Sequence, residues 1–103
     1  IHVLDLAEAH MQALQYLFKK QYCFLNLNVG RGESISVLEL LTTFEKVNKV
    51  KINFEFASRR NGDIPISYAD TSLSMKLLNW KPKLSLDDMC KDGWRWQKNQ
   101  IKV

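Results

Sequence analysis

The stretch "SRRNGDIP", residues 58 to 65, holds more chemical equipment than a passive loop needs. Arg59 and Arg60 are adjacent, Gly62 frees the backbone, Asp63 follows three residues after Arg60, and Pro65 fixes the exit. Successive side chains of an extended chain point to opposite faces, so the two guanidiniums cannot both serve one pocket unless the backbone bends between them. One is expected to point in and the other out. An inward Arg offers a planar fork of donors that matches a phosphate, and a close turn at Gly62 returns Asp63 to the same side, where its carboxylate can accept from vicinal hydroxyls. On the residues alone two readings stand: a grip on a nucleoside diphosphate, or a local Arg60–Asp63 ion pair that only holds the loop.

Other chemistry-bearing residues are dispersed. Cys23 sits in an apolar strand-like run and Cys90 in a helix-like one, in no metal or redox spacing, which fits buried free thiols. Neither His2 nor His10 joins a Cys or acid cluster, and His10 falls on an apolar helical face where packing is expected. The formal net charge of +4 comes without a basic cluster, because the lysines occur singly or in pairs at element ends. With no recognition-helix, zinc or aromatic RNA-binding signature beside that charge, no nucleic-acid partner is expected. No apolar run approaches the roughly 20 residues of a membrane span and no leader precedes the first helix, so a cytoplasmic protein is expected. The chain begins at Ile1 rather than Met, which suggests a segment of a longer protein.

The elements that must position the loop alternate in type. Leu6, His10, Ala13, Leu14, Leu17 and Phe18 keep helical spacing from about Asp5 to Lys20. "CFLNLNV", residues 23 to 29, is a strand candidate, and "GRG", 30 to 32, turns the chain out of it. Val37, Leu40, Leu41, Phe44 and Val47 mark a second helix to about Lys49, with Ser34 or Ser36 as its N-cap. "KINFEFA", 51 to 57, alternates with the period of a half-buried strand and delivers the chain into the Arg-rich loop. Asp70 can cap a short helix carrying Leu73 to Leu78 that must end before Pro82. "SLDD", 85 to 88, starts a last helix with Leu86, Met89, Cys90 and Gly93 on its inner side. The expected class is α/β.

The stretches "IHVLDLAEAH", "LNLNVGRGESISVLELL", "SRRNGDIPISYAD" and "LNWKPKLSLDDMCKDGWRWQ" together resemble, in unbroken order over essentially all 103 residues, the C-terminal part of the UDP-glucose 4-epimerases. These are extended short-chain dehydrogenase/reductases. The resemblance implies an edge helix and strand of an NAD-binding Rossmann domain over residues 1–29 and a small α/β lobe that grips a UDP-sugar over 30–103. It places Val37 at the uridine, Arg60 at the diphosphate, Asp63 at the ribose and Ser67 beside the sugar. Arg59 becomes the outward partner. A small residue at Ser67 leaves room for UDP-N-acetylhexosamines beside UDP-glucose and UDP-galactose, and the whole enzyme is expected to be a homodimer. Trp80, Trp94 and Trp96, which could suggest a sugar platform, match packing positions of the family and are expected in the core.

The implied reaction interconverts UDP-galactose and UDP-glucose through an NAD-dependent 4-keto intermediate and needs a glycine-rich NAD turn and a Tyr-x-x-x-Lys pair. Tyr16 and Lys20 have that spacing, but their surroundings match the family's ordinary first helix. "GRG" lacks the further Gly and the preceding βα context of a dinucleotide turn. The chain alone is therefore expected to be inactive, with NAD held elsewhere in the parent. The alternatives are the same region of another NAD-dependent nucleotide-sugar epimerase, dehydratase or decarboxylase, and, more remotely, an independent small binding module.

Overall fold

A computed structural model describes residues 1–20 and 24–101; Cys23, with its expected buried thiol, lies outside the described residues. Four helices are the regular elements among these residues: α1 (Val3–Lys19), α2 (Val37–Asn48), α3 (Ser72–Leu78) and α4 (Leu86–Ile101). The chain forms two compact units, each assembled from two stretches. The first joins Ile1–Glu33 to Tyr68–Ser85; the second joins Ser34–Ser67 to the stretch from Leu86 onward.

In the first unit α1 packs on α3. The helix starts two residues before Asp5, because His2 caps it: the buried ring accepts the Leu4 N–H on Nδ1 at 3.1 Å. Its buried seam is Asp5 and Ala9, extended by Ala13 and Tyr16, which pack with Leu27 and Val29 around Leu78 and Trp80. This corrects the expected face. Leu14, Leu17 and Phe18 are exposed, and so is His10, whose Nδ1 lies 2.8 Å from the Leu6 carbonyl rather than in a core. Small Ala9 lets Leu78 and Trp80 approach the helix, whereas the larger side chains find no such cover among the described residues. α3 ends in a left-handed cap at Asn79 with φ of 49°, short of Pro82 as expected.

In the second unit α2 packs on α4. Phe44 meets Trp94 edge to face at 5.6 Å, and the Asn48 side-chain amide donates to the Cys90 carbonyl at 3.1 Å. Cys90 is buried, and burial, aided by the Asp87 charge, raises its thiol pKa. Trp80 is core and Trp94 half-buried, but Trp96 is 63% exposed, contrary to expectation. Residues two apart on a helix point about 200° from each other, so Trp94 and Trp96 cannot both face α2. Gly93 is exposed as well.

Neither expected strand belongs to a ladder among the described residues: 24–29 and 51–57 are irregular. A strand exists only through hydrogen bonds to a neighbour, and neither segment has a regular partner here. The period-two signal is still visible at 51–57, where Phe54 and Phe56 share a side and meet at 5.6 Å although they are 50% and 86% exposed. The described architecture is helical, and the α/β class expected from the pattern is not realised within it.

Candidate functional site

The loop from Arg60 to Asp63 is a closed turn. The Asp63 N–H donates to the Arg60 carbonyl at 3.3 Å, and Gly62 stands at φ of 86° with nothing within 4 Å of where a Cβ would be. Positive φ at the third residue only is the type II pattern, which selects Gly there. The Asp63 carboxylate then closes the turn a second time. Its Oδ2 accepts from the Arg60 backbone N–H at 3.2 Å and from the Arg60 Nε–H at 3.3 Å. The pair is open to water, with the Arg60 side chain 87% and the Asp63 side chain 40% exposed. Sequence reasoning brings Arg60 and Asp63 together, and so does the structure, in the geometry of the local ion pair. The two Nη groups of Arg60 make no hydrogen bond to the described chain, and neither does Asp63 Oδ1.

Val37 opens α2 and is 75% exposed; Ser67 is exposed in the segment leaving the loop. Both belong to the same unit as Arg60 and Asp63. The α2 N-terminus is closed by a capping box: Ser36 Oγ accepts the Glu39 N–H at 3.1 Å, and Glu39 Oε2 accepts the Ser36 N–H at 2.7 Å. These bonds, the backbone one first, hold the Glu39 carboxyl below its ordinary range. A dinucleotide turn needs free helix N–H groups facing its pyrophosphate, and here a carboxylate already occupies that end. The residues after "GRG" therefore do not fit NAD. Gly32, at φ of 73°, answers instead to local packing, since a Cβ would come within 3.1 Å of Thr71 Oγ1.

The first unit contains two anchors that the sequence pattern did not single out. Asp5, 3% exposed, accepts the Lys83 N–H on Oδ1 at 3.1 Å and the Leu84 N–H on Oδ2 at 3.0 Å. Arg31 donates from Nε and Nη2 to Glu33 and from Nη1 to the Leu84 carbonyl. Leu84 is thus held at both its N–H and its C=O. An acid on the polar side of a helical repeat looks solvated in sequence, and nothing in the pattern tells Asp5 from Glu8. By contrast the Ser36-x-x-Glu39 spacing was a readable signal. The cap expected at Asp70 shifts by one residue: the N-cap of α3 is Thr71, which makes no side-chain capping bond, while Asp70 before it accepts the Ser72 N–H on Oδ1 at 2.9 Å, and that bond, then one to the Ser72 side chain, lowers its pKa.

Among the described residues no helix is long and apolar enough to cross a membrane, and no three His, Cys, Asp or Glu side chains converge on a metal site. No protein-family profile matches the chain. Individual proteins do. It is 43% identical to a UDP-glucose 4-epimerase of Drosophila melanogaster over 94% of its own length, and 41% identical to one of Bacillus subtilis over 98%. The human UDP-glucose 4-epimerase is 43% identical over 95% of the chain. In structure, the chain is similar to a Bifidobacterium longum UDP-glucose 4-epimerase solved with NAD+ and UDP, with a TM-score of 0.86 and 36% identity over 98% of the chain. The chain spans 28 to 30% of the length of these relatives.

Proposed function

We propose that this chain, a homologue of the UDP-glucose 4-epimerases over nearly its whole length, forms the part of such an enzyme that grips the UDP moiety of a UDP-sugar. The observation that carries the reading is the Arg60 turn: a guanidinium held by one edge, with both Nη groups exposed and a carboxylate oxygen unengaged beside them. In this reading the Nη pair takes the diphosphate, Asp63 accepts from the ribose hydroxyls, Val37 lies against the uracil, and Ser67 flanks the sugar. Residues 1–29 are the edge of a Rossmann domain and 30–103 most of the substrate lobe, the α/β ladders forming with sheet strands that this chain does not itself supply.

The whole enzyme, a cytoplasmic homodimer, interconverts UDP-glucose and UDP-galactose in galactose metabolism. The redox chemistry on the sugar belongs to NAD, which the residues after "GRG" do not fit and which in this reading is held elsewhere in the parent. What this chain contributes is binding energy from the non-reacting UDP, which keeps the sugar captive while its ring changes orientation. Taken alone the chain has no epimerase activity.

Titration of the chain with UDP and, separately, with a short RNA oligonucleotide tests the reading. Saturable UDP shifts that vanish in Arg60→Ala support it; steeply salt-sensitive RNA binding without UDP binding refutes it. The sugar assignment is checked in the full-length enzyme, where Ser67→Tyr is expected to reduce turnover of UDP-N-acetylglucosamine more than that of UDP-glucose, because the ring fills the space the acetamide needs.

A further inference from the structure

The bonds within the Arg60 turn say more than that an acid and a base are neighbours. Two donors of one residue, the Arg60 backbone N–H and its Nε–H, converge on the same oxygen, Asp63 Oδ2, at 3.2 and 3.3 Å. That closes a ring through the Arg60 side chain and restrains χ1 through χ3, while the Asp63 N–H to Arg60 carbonyl bond and Gly62 fix the carboxylate relative to the backbone. A free arginine on the surface would lose all of that rotamer freedom on meeting a ligand. Here part of it is given up beforehand. The edge engaged is Nε, so the end that remains is the Nη1/Nη2 fork, which matches two oxygens of one phosphate.

Charge alone does not explain the arrangement. At 87% and 40% exposure the ion pair is screened and contributes little by attraction, and a carboxylate close to the guanidinium opposes, rather than assists, the approach of a diphosphate. Its benefit to binding must be geometric. Resting on the reading proposed above, we infer that Asp63 has a second task besides the ribose: it is a positioning residue that pre-orients Arg60 so that its Nη fork, and not its Nε edge, is presented to the phosphate.

A double-substitution cycle with UDP and uridine separates the two tasks. Arg60→Ala weakens UDP binding at least about 30-fold and leaves uridine unaffected, as expected for a charge-assisted bidentate contact. If Asp63 only accepted from the ribose, Asp63→Ala would weaken uridine and UDP by the same factor, in either background. A positioning role adds a further loss of about 5- to 10-fold for UDP alone, and that extra loss disappears when Arg60 is already Ala. A second readout needs no ligand: the Arg60 Nε–Hε resonance is resolved from that of Arg59 in the unsubstituted chain and merges with it in Asp63→Ala. Losses that combine additively for UDP, or an Arg60 Nε–Hε signal already merged with Arg59, overturn the positioning role while leaving the diphosphate reading intact. An Arg60→Ala chain that binds UDP unchanged overturns that reading instead.

Discussion

Among the arginines that sit beside an acid a few residues away, Arg31 and Arg60 are used in opposite ways. Arg31, whose side chain is 22% exposed, gives Nε and Nη2 to Glu33 and Nη1 to the Leu84 carbonyl, so every edge of its guanidinium is engaged by the chain itself. Arg60, 87% exposed, gives only Nε to Asp63 and keeps both Nη groups clear. The first arrangement anchors a segment and the second leaves a binding group ready. The acids differ in the same sense. Buried Asp5 spends both oxygens on the Lys83 and Leu84 N–H groups, whereas exposed Asp63 spends one. A residue's type and neighbours do not separate these roles; the count of donors and acceptors left over does.

The contrast is most easily broken at Asp5. Asp5→Ala removes a buried carboxylate and leaves two part-buried backbone N–H groups without their charged acceptor, and is expected to cost about 2 to 4 kcal/mol of unfolding free energy. Asp63→Ala, at an exposed turn, costs under about 1 kcal/mol. Urea denaturation of the two variants measures both, and equal losses would erase the distinction between anchor and site. Next in size, Arg31→Ala is expected to lose about 1 to 3 kcal/mol, and Arg31→Lys to restore little of it, because an ammonium cannot reach Glu33 and the Leu84 carbonyl with one planar fork. Full recovery in the Lys variant would show that charge, and not the three-edged geometry, matters there.

Much of this was legible in the sequence, and the failures have a common cause. Helical spacing located α1 and α2, cap and proline signals located α3 and α4, and "SRRNGDIP" with its Gly62 located the turn that joins Arg60 to Asp63. Local bonds decide such features, and local residues encode them. What the pattern could not give was the facing of α1, where Asp5 and Ala9 are buried and Leu14 and Phe18 are not. Hydrophobic periodicity reports which side a helix is built to cover, but which seam is covered depends on what packs against it. The strand signals met the same limit over the described residues 24–29 and 51–57, since a ladder needs a partner that periodicity does not name. Asp5 and Arg31 were missed because their partners, Lys83 and Leu84, lie far along the chain.

The smallest effect sharpens the comparison on the side of local order. Hydrogen bonds from Ser36 depress the folded-state pKa of Glu39, so the capping box contributes stability that is present above the ordinary glutamate range, near about 4.3, and is lost as pH falls through the lowered folded value. Glu39→Gln is expected to lower stability only slightly at neutral pH, and to flatten that part of the acid limb of the stability curve. An acid limb of unchanged slope would mean that the box does not hold in solution.

The central claim is that the Arg60 turn is a diphosphate grip rather than a surface ion pair, and adjacent Arg59 is its internal control. In calorimetric titration with UDP, Arg60→Ala is expected to weaken binding by about 2 to 4 kcal/mol and Arg59→Ala by well under about 1 kcal/mol, because only Arg60 is held by Asp63 with its fork free. Equal losses for the two variants, or no loss at Arg60, would contradict it.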